Sequence, residues 1–245
     1  MRNCGELKDE PFIPMKTAVS SWNDIHPDLL DITGGEPFVY PNFVKFLSGL
    51  DKDISLAMTT NLYTDLTEFV SEIPASRFRS ITVSYHPSQR MGLDCFLGKA
   101  LLLQHRGFHV NVNFVAYPEQ MWMIPKLKEV FEKENRLKFH VDPYSQTKFH
   151  SFDFNDEEKA WLSEWIGKDR KQIAGVRPVQ CSAGMDRIVV FPDGLIYGCL
   201  RDKIDGKDPM GYLGHEFEPN KKYGFCANAN VCAGCDRDHV TIENT

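Results

Sequence analysis

No apolar run in this 245-residue chain approaches the roughly 18 residues of a membrane-spanning helix. The opening stretch, MRNCGELKDEPF, has no apolar signal-peptide region, so nothing in it directs export and a cytoplasmic location is expected. A dense basic stripe is also missing. Lys and Arg are scattered, and the net charge is −6 with an isoelectric point near 5.8. Non-specific binding to nucleic acid or to an anionic membrane surface is therefore disfavoured. There is no internal repeat and no low-complexity tract. What remains is an ordinary globular composition, 42% hydrophobic and 25% charged, with room for one large α/β domain and a small appendage.

Cysteines are few along most of the chain and then crowd together. Five of the seven fall near the carboxyl end: Cys181, Cys199, Cys226, Cys232 and Cys235. Without an export signal, such clustering reads as metal binding before disulfides. Cys181 and Cys199 are spaced C-x12-G-x4-C around a Pro192-Asp193-Gly194 turn signal, so a hairpin in RIVVFPDGLIYGC would bring both sulfurs to one centre. Cys226, Cys232 and Cys235 follow as C-x5-C-x2-C, a spacing that suits zinc and iron–sulfur clusters alike. A zinc ribbon that only staples a small core is the alternative.

Ahead of the cysteines, short β-branched or apolar runs at 29–33, 54–60, 80–85, 109–116 and 137–142 read as strands. Helical patterns lie near 14–23, 41–50, 64–72, 93–106, 120–135 and 156–166, with Pro125 close to a helix start. Alternation of this kind implies a parallel sheet, open or curled into a barrel. The pattern stops near residue 166, where GKDRKQIAGVRPVQ reads as a linker. Two domains are expected, 1–166 and 167–245.

In parallel α/β folds ligands sit beyond the carboxyl ends of the strands. Gly34-Gly35-Glu36-Pro37 follows the first strand, Thr59-Thr60-Asn61 closes the second, and Ser84-Tyr85-His86-Pro87 ends the third. Asn111, Asn113 and Tyr117 belong to the next, and His140, Asp142, Tyr144 and Gln146 to the last. Glycines let backbone approach a ligand, and Glu36 can accept from a ligand ammonium. The plainer alternative is a strand-to-helix loop with an incidental acid. Cys95 lies in an apolar helical stretch and is expected in the core, as are Trp161 and Trp165. Asp156, Glu157 and Glu158 read as a solvated helix start.

Taken together, GGEP at 34–37, TTN at 59–61, VSYHP at 83–87 and the late cysteine spacing make the chain resemble a radical S-adenosylmethionine enzyme with a short SPASM or twitch-type auxiliary cluster domain. The resemblance implies a partial (β/α)6 TIM-like barrel, here lacking its first strand, with a small cysteine-rich C-terminal β-hairpin extension. It implies that Gly34, Gly35, Glu36 and Pro37 hold the methionyl end of S-adenosylmethionine, with Asn61, Ser84 and Asn113 on ribose or carboxylate. Tyr144 and His86 are candidates for substrate or adenine contact, though His86 also reads as an ordinary loop histidine. One [4Fe–4S] auxiliary cluster is implied on Cys181, Cys199 and Cys235 with Cys232 or Cys226, zinc being the alternative. The family implies a peptide or small-molecule substrate and an electron donor such as a flavodoxin or ferredoxin.

The chain departs from that family where the C-x3-C-x2-C loop of the catalytic cluster belongs. Only Cys4 lies there, 30 positions before Gly34, and Asn3 precedes it where an aromatic is usual. The expectation is a family member that begins one element late, by loss of an upstream segment or by degeneracy to a non-catalytic binding scaffold. As it stands, the chain is expected to release no 5′-deoxyadenosine.

Overall fold

In a computed structural model of the chain, the described residues are 12–89, 91–144, 154–166, 179–222, 224–225 and 240–242. Two compact units emerge. One is Ile25–Arg170; the other joins Met1–Asp24 with Lys171–Thr245.

The larger unit is built on five parallel strands in the order β1-β2-β3-β4-β5: β1 (Leu29–Ile32), β2 (Ser55–Thr60), β3 (Phe78–Tyr85), β4 (Val110–Ala116) and β5 (Lys138–Pro143). Each lies within two residues of the run read from sequence. Helices α2 (Phe43–Gly49), α3 (Thr67–Glu72), α4 (Leu93–His105), α5 (Ile124–Lys128) and α6 (Asp156–Ser163) alternate with them or follow. The period-2 pattern divides the sheet into two unlike faces. Leu56 and Met58, Ile81 and Val83, Val112 and Phe114, and Phe139 and Val141 are buried on one face. The opposite face carries Thr59, Thr82, Ser84, Asn111, Asn113, Lys138, His140 and Asp142. A parallel sheet with both faces packed would read as continuous apolar runs. This one keeps a polar face.

Phenylalanines close the apolar side. Phe69 is fully buried, its ring 5.3 Å from Phe108 and 5.7 Å from Phe78. A second group joins Phe96, Phe131, Tyr85 and Phe139. Offset or edge-on geometries predominate, as ring quadrupoles favour.

The single helix expected over 120–135 is three pieces: a 3-10 turn (Pro118–Met123), α5 and a π segment (Glu129–Glu134). Pro118 and Pro125 explain the first break. Neither has an N–H, and each sits in the first turn of a new piece, where that donor is not needed. Cys95 is not in the core. On α4 the buried residues are Phe96, Ala100 and Leu103, spaced four and three apart, and Cys95 sits one residue off that stripe, exposed. Trp161 and Trp165 are half-buried, their rings 5.4 Å apart. The acids at 156–158 do open α6, where Asn155 and Glu158 form a reciprocal capping box.

In the smaller unit α1 (Met15–Ile25) precedes the sheet in sequence but not in packing. The Ile13 N–H donates to the Pro192 carbonyl at 2.8 Å, and a Cβ on Gly214 would lie 2.8 Å from Thr17 Cγ2. β7 (Val189–Val190) and β8 (Leu195–Tyr197) are antiparallel, and β9 (Gly211–Tyr212) adds to β8. Gly194 takes φ +87° in the turn between β7 and β8 and donates to the Phe191 carbonyl at 2.8 Å. β6 (Val179–Cys181) lies between β10 (Gly224–Phe225) and β11 (Val240–Ile242), with Cys181 opposite both Gly224 and Val240. Helix α7 (Leu200–Ile204) begins directly after Cys199.

Candidate functional site

Because all five strands run the same way, the residues just past their carboxyl ends share one edge of the sheet. Gly34 has φ +109°, a conformation that glycine adopts without a Cβ clash, and a Cβ there would meet no atom within 4 Å. Gly35 is exposed beside it. Pro37, buried, opens a 3-10 turn (Pro37–Val39) capped by Glu36. The Phe38 ring anchors this turn to the core, 5.1 Å from Phe43 and 5.5 Å from Phe69.

Glu36 is held from three directions. The Thr60 hydroxyl donates to Oε1 at 2.7 Å, the Phe38 N–H to the same oxygen at 3.3 Å, and the Asn61 N–H to Oε2 at 2.7 Å. A carboxylate offers about four acceptor positions, so about one is left open by the described residues, on Oε2. Burial raises the carboxyl above its ordinary value, opposed by the bonds from Asn61, Thr60 and Phe38. Thr60 is itself buried and accepts the Leu62 N–H at 3.1 Å.

Asn61 therefore serves Glu36 through its backbone. Its Oδ1 accepts the Tyr63 N–H at 2.8 Å, which leaves the amide Nδ2 for a ligand. Ser84 and Asn113 are register partners on β3 and β4, and Asn113 pairs in turn with His140 on β5. One polar row thus crosses three strands. In the row before it, Asn111 Oδ1 is buried with no donor among the described residues. Such an acceptor costs on the order of 1–3 kcal/mol unless something donates to it. His86 follows β3, half-buried, and burial pushes its imidazole below the ordinary value and so toward the neutral form. Tyr117 and Tyr144, past the ends of β4 and β5, stack with centroids 4.5 Å apart. Sequence reasoning missed Phe38 and Lys99, whose roles come from contacts with no local signature.

The cysteines divide by what the structure describes. Cys4, Cys226, Cys232 and Cys235 lie outside the described residues, as do Gln146 and the expected linker up to residue 178. Cys181 and Cys199 are half-buried free thiols. A Cβ on Gly198 would lie 3.3 Å from both the Ala183 carbonyl carbon and the Gly184 nitrogen, so the two cysteine-bearing segments pack together. Cys181 Sγ accepts the Ala183 N–H at 3.4 Å, and Cys199 Sγ accepts the backbone N–H of Asp202. Burial pushes the Cys199 thiol up. Two sulfurs already oriented by amide donors suit thiolate ligation. Among the described residues one other group has metal-ligand chemistry: His26, Asp51 and Asp53, all exposed.

A parallel α/β sheet with a glycine-flanked, internally braced carboxylate at its carboxyl edge has its polar groups where α/β folds generally place ligands. Its fold is shared with Streptococcus suis SuiB, at a TM-score of 0.61 and 15% identity over 83% of this chain and 58% of that one. SuiB bound to S-adenosylmethionine aligns at 0.58 with 16% identity, over 78% and 54%. The anSMEcpe protein with bound AdoMet aligns at 0.54 with 14% identity, over 82% and 65%. What the chain shares with these structures is the fold. The chain spans between half and two thirds of their length. No protein-family model matches it, and no curated protein matches it. No helix among the described residues is long and apolar enough to cross a membrane.

Proposed function

We propose that this chain is a radical S-adenosylmethionine protein whose Glu36 edge binds the methionyl end of S-adenosylmethionine. The observation that carries the reading is the single open acceptor position on Glu36 Oε2, next to a left-handed glycine with open space where a side chain would be. An ammonium fits there as a donor to a carboxylate already held in place. Asn61 Nδ2, Ser84 and Asn113 supply neutral polar contacts for ribose or carboxylate, and the Tyr117–Tyr144 stack offers a flat apolar surface for a ring. Two of the three structural neighbours carry S-adenosylmethionine, which supports the same reading.

An auxiliary [4Fe–4S] cluster, with zinc as the alternative, would be held by Cys181 and Cys199 together with Cys226, Cys232 or Cys235. A [4Fe–4S] cluster beside Glu36 would supply the electron for radical chemistry, and the C-x3-C-x2-C loop that would hold it is not among these 245 residues. The protein's own part is to hold the methionyl ammonium at Glu36, orient the nucleoside along the polar row and exclude water. The substrate class is a peptide or small molecule, the reductant a flavodoxin or ferredoxin, and the compartment the cytoplasm.

Calorimetric titration with S-adenosylmethionine tests the reading. Saturable binding is expected, together with at least tenfold weaker binding of 5′-methylthioadenosine, which lacks the ammonium, since a hydrogen bond to a charged group contributes about 1.5–3 kcal/mol. Equal affinity for both compounds, or none for either, would overturn it. Anaerobic metal analysis addresses the second centre: iron and sulfide near four per chain support the cluster, and zinc without iron supports a binding scaffold instead.

A further inference from the structure

The loop after β2 has an unusual support. Leu62 is fully buried with φ +59°, a left-handed conformation that is uncommon for a large apolar side chain. Lys99, half-buried on α4, reaches across to this loop. Its Nζ donates to the Leu62 carbonyl at 2.9 Å and to the Thr64 carbonyl at 2.5 Å. Those carbonyls flank the bend that begins at Asn61, whose N–H is the donor on Glu36 Oε2. Around the bend, Leu62 N–H is held by Thr60 and Tyr63 N–H by Asn61. Lys99 is thus tied to the Glu36 carboxylate by hydrogen bonds at each end and by the backbone of residues 61–64 between them. Strained backbone of this kind persists only where its surroundings over-determine it, and it gathers at ligand sites.

We infer that Lys99 is a positioning residue for the Glu36 site, a clamp from α4 that holds the 61–64 bend so that the Asn61 N–H stays on the carboxylate and the last acceptor position stays open to a ligand ammonium. The inference rests on the proposed S-adenosylmethionine site for its functional meaning, but its geometry is independent of any ligand. The groups bonded to Glu36 are the Thr60 hydroxyl and the Asn61 and Phe38 amides. Titratable side chains on the neighbouring elements are Asp31 on β1, Tyr40 after the turn, Lys45 on α2, Tyr63 and Asp65 in the clamped loop, and Glu68 and Glu72 on α3. Loss of the clamp withdraws the Asn61 N–H, a bond that lowers the Glu36 carboxyl toward ionisation. The carboxyl then titrates higher.

Two measurements on the whole chain test this, with Lys99→Met, Lys99→Gln, Lys99→Arg and, as a control, Lys126→Met, whose ammonium pairs with exposed Glu129. In the ligand-free protein, the carboxyl carbon of Glu36 is followed by NMR against pH. In K99M its midpoint is expected to move up, while K99Q and K99R, which keep donors for the carbonyls, stay near wild type, as does K126M. In calorimetry, K99M is expected to bind S-adenosylmethionine about tenfold more weakly, the scale of a lost charge-assisted hydrogen bond, with Arg restoring most of the affinity. An unmoved Glu36 midpoint in folded K99M overturns the inference. So does a K99Q shift as large as that of K99M, which would mean the lysine acts by charge and not by holding the bend. If K99M does not fold, Lys99→Ala takes its place, with the same rise expected and an unmoved Glu36 midpoint again overturning the inference. If wild type binds no S-adenosylmethionine, the proposed function fails, and the ligand-free titration still decides the clamp.

Discussion

At the scale of single residues the chemistry gathers on Glu36. A buried carboxylate normally shifts toward its neutral form, and here three donors oppose that shift without cancelling it. The sign for ligand binding follows. On the proposed reading, Glu36 below its raised pKa is neutral and no longer attracts an ammonium, so affinity for S-adenosylmethionine should fall on acidification at a higher pH than an ordinary glutamate would give. In Glu36→Gln that acid limb should disappear, and affinity at neutral pH should drop at least about tenfold; calorimetry across pH checks both. Thr60→Val leaves Oε1 with the longer Phe38 bond and strips the Leu62 N–H of its acceptor. Its expected cost is about 1–3 kcal/mol in urea unfolding.

At the scale of elements, the site depends on how firmly its turns are seated. Phe38 inserts the Glu36 turn between Phe43 and Phe69, so the aromatic core and the site share a wall. Phe69→Ala should cost about 3–5 kcal/mol in denaturant unfolding, since the fully buried ring leaves a cavity. Gly34→Ala isolates backbone strain, because a Cβ there meets nothing within 4 Å while φ is +109°. A loss of about 1–2 kcal/mol is expected from the left-handed conformation, measured in the same way. Strand positions were readable from their β-branched runs. The interior of 118–134 was not, because two prolines and a π segment divide a stretch with one continuous helical pattern.

At the scale of the whole molecule, the chain returns on itself. Its smaller unit takes α1 from one end and the cysteine-bearing hairpin from the other. Cys181 and Cys199, 18 positions apart in sequence, sit on segments packed through Gly198. On the proposed reading, Cys181→Ala or Cys199→Ala should remove most of the bound iron while leaving S-adenosylmethionine affinity within about twofold, because neither thiol is among the groups that hold Glu36. Metal analysis and calorimetry on the same preparations would show it.

The sequence by itself determined the parallel α/β framework and the place of its candidate ligand edge. Strand periodicity and the glycine pair are local, and local order survives in a linear string. It also marked Gly34, Glu36, Asn61, Ser84 and Asn113 as one constellation, since parallel strands must deliver their ends to one edge. Only the tertiary structure decided what those residues do to one another. That Asn61 serves through its backbone, that about three of four acceptor positions on Glu36 are already taken, that Cys95 faces out and that Lys99 clamps a left-handed Leu62 all depend on hydrogen bonds and packing between residues 24 to 37 positions apart or on which helix face turns inward. Such distances carry no periodic signal. They are set by where the folded backbone places its donors.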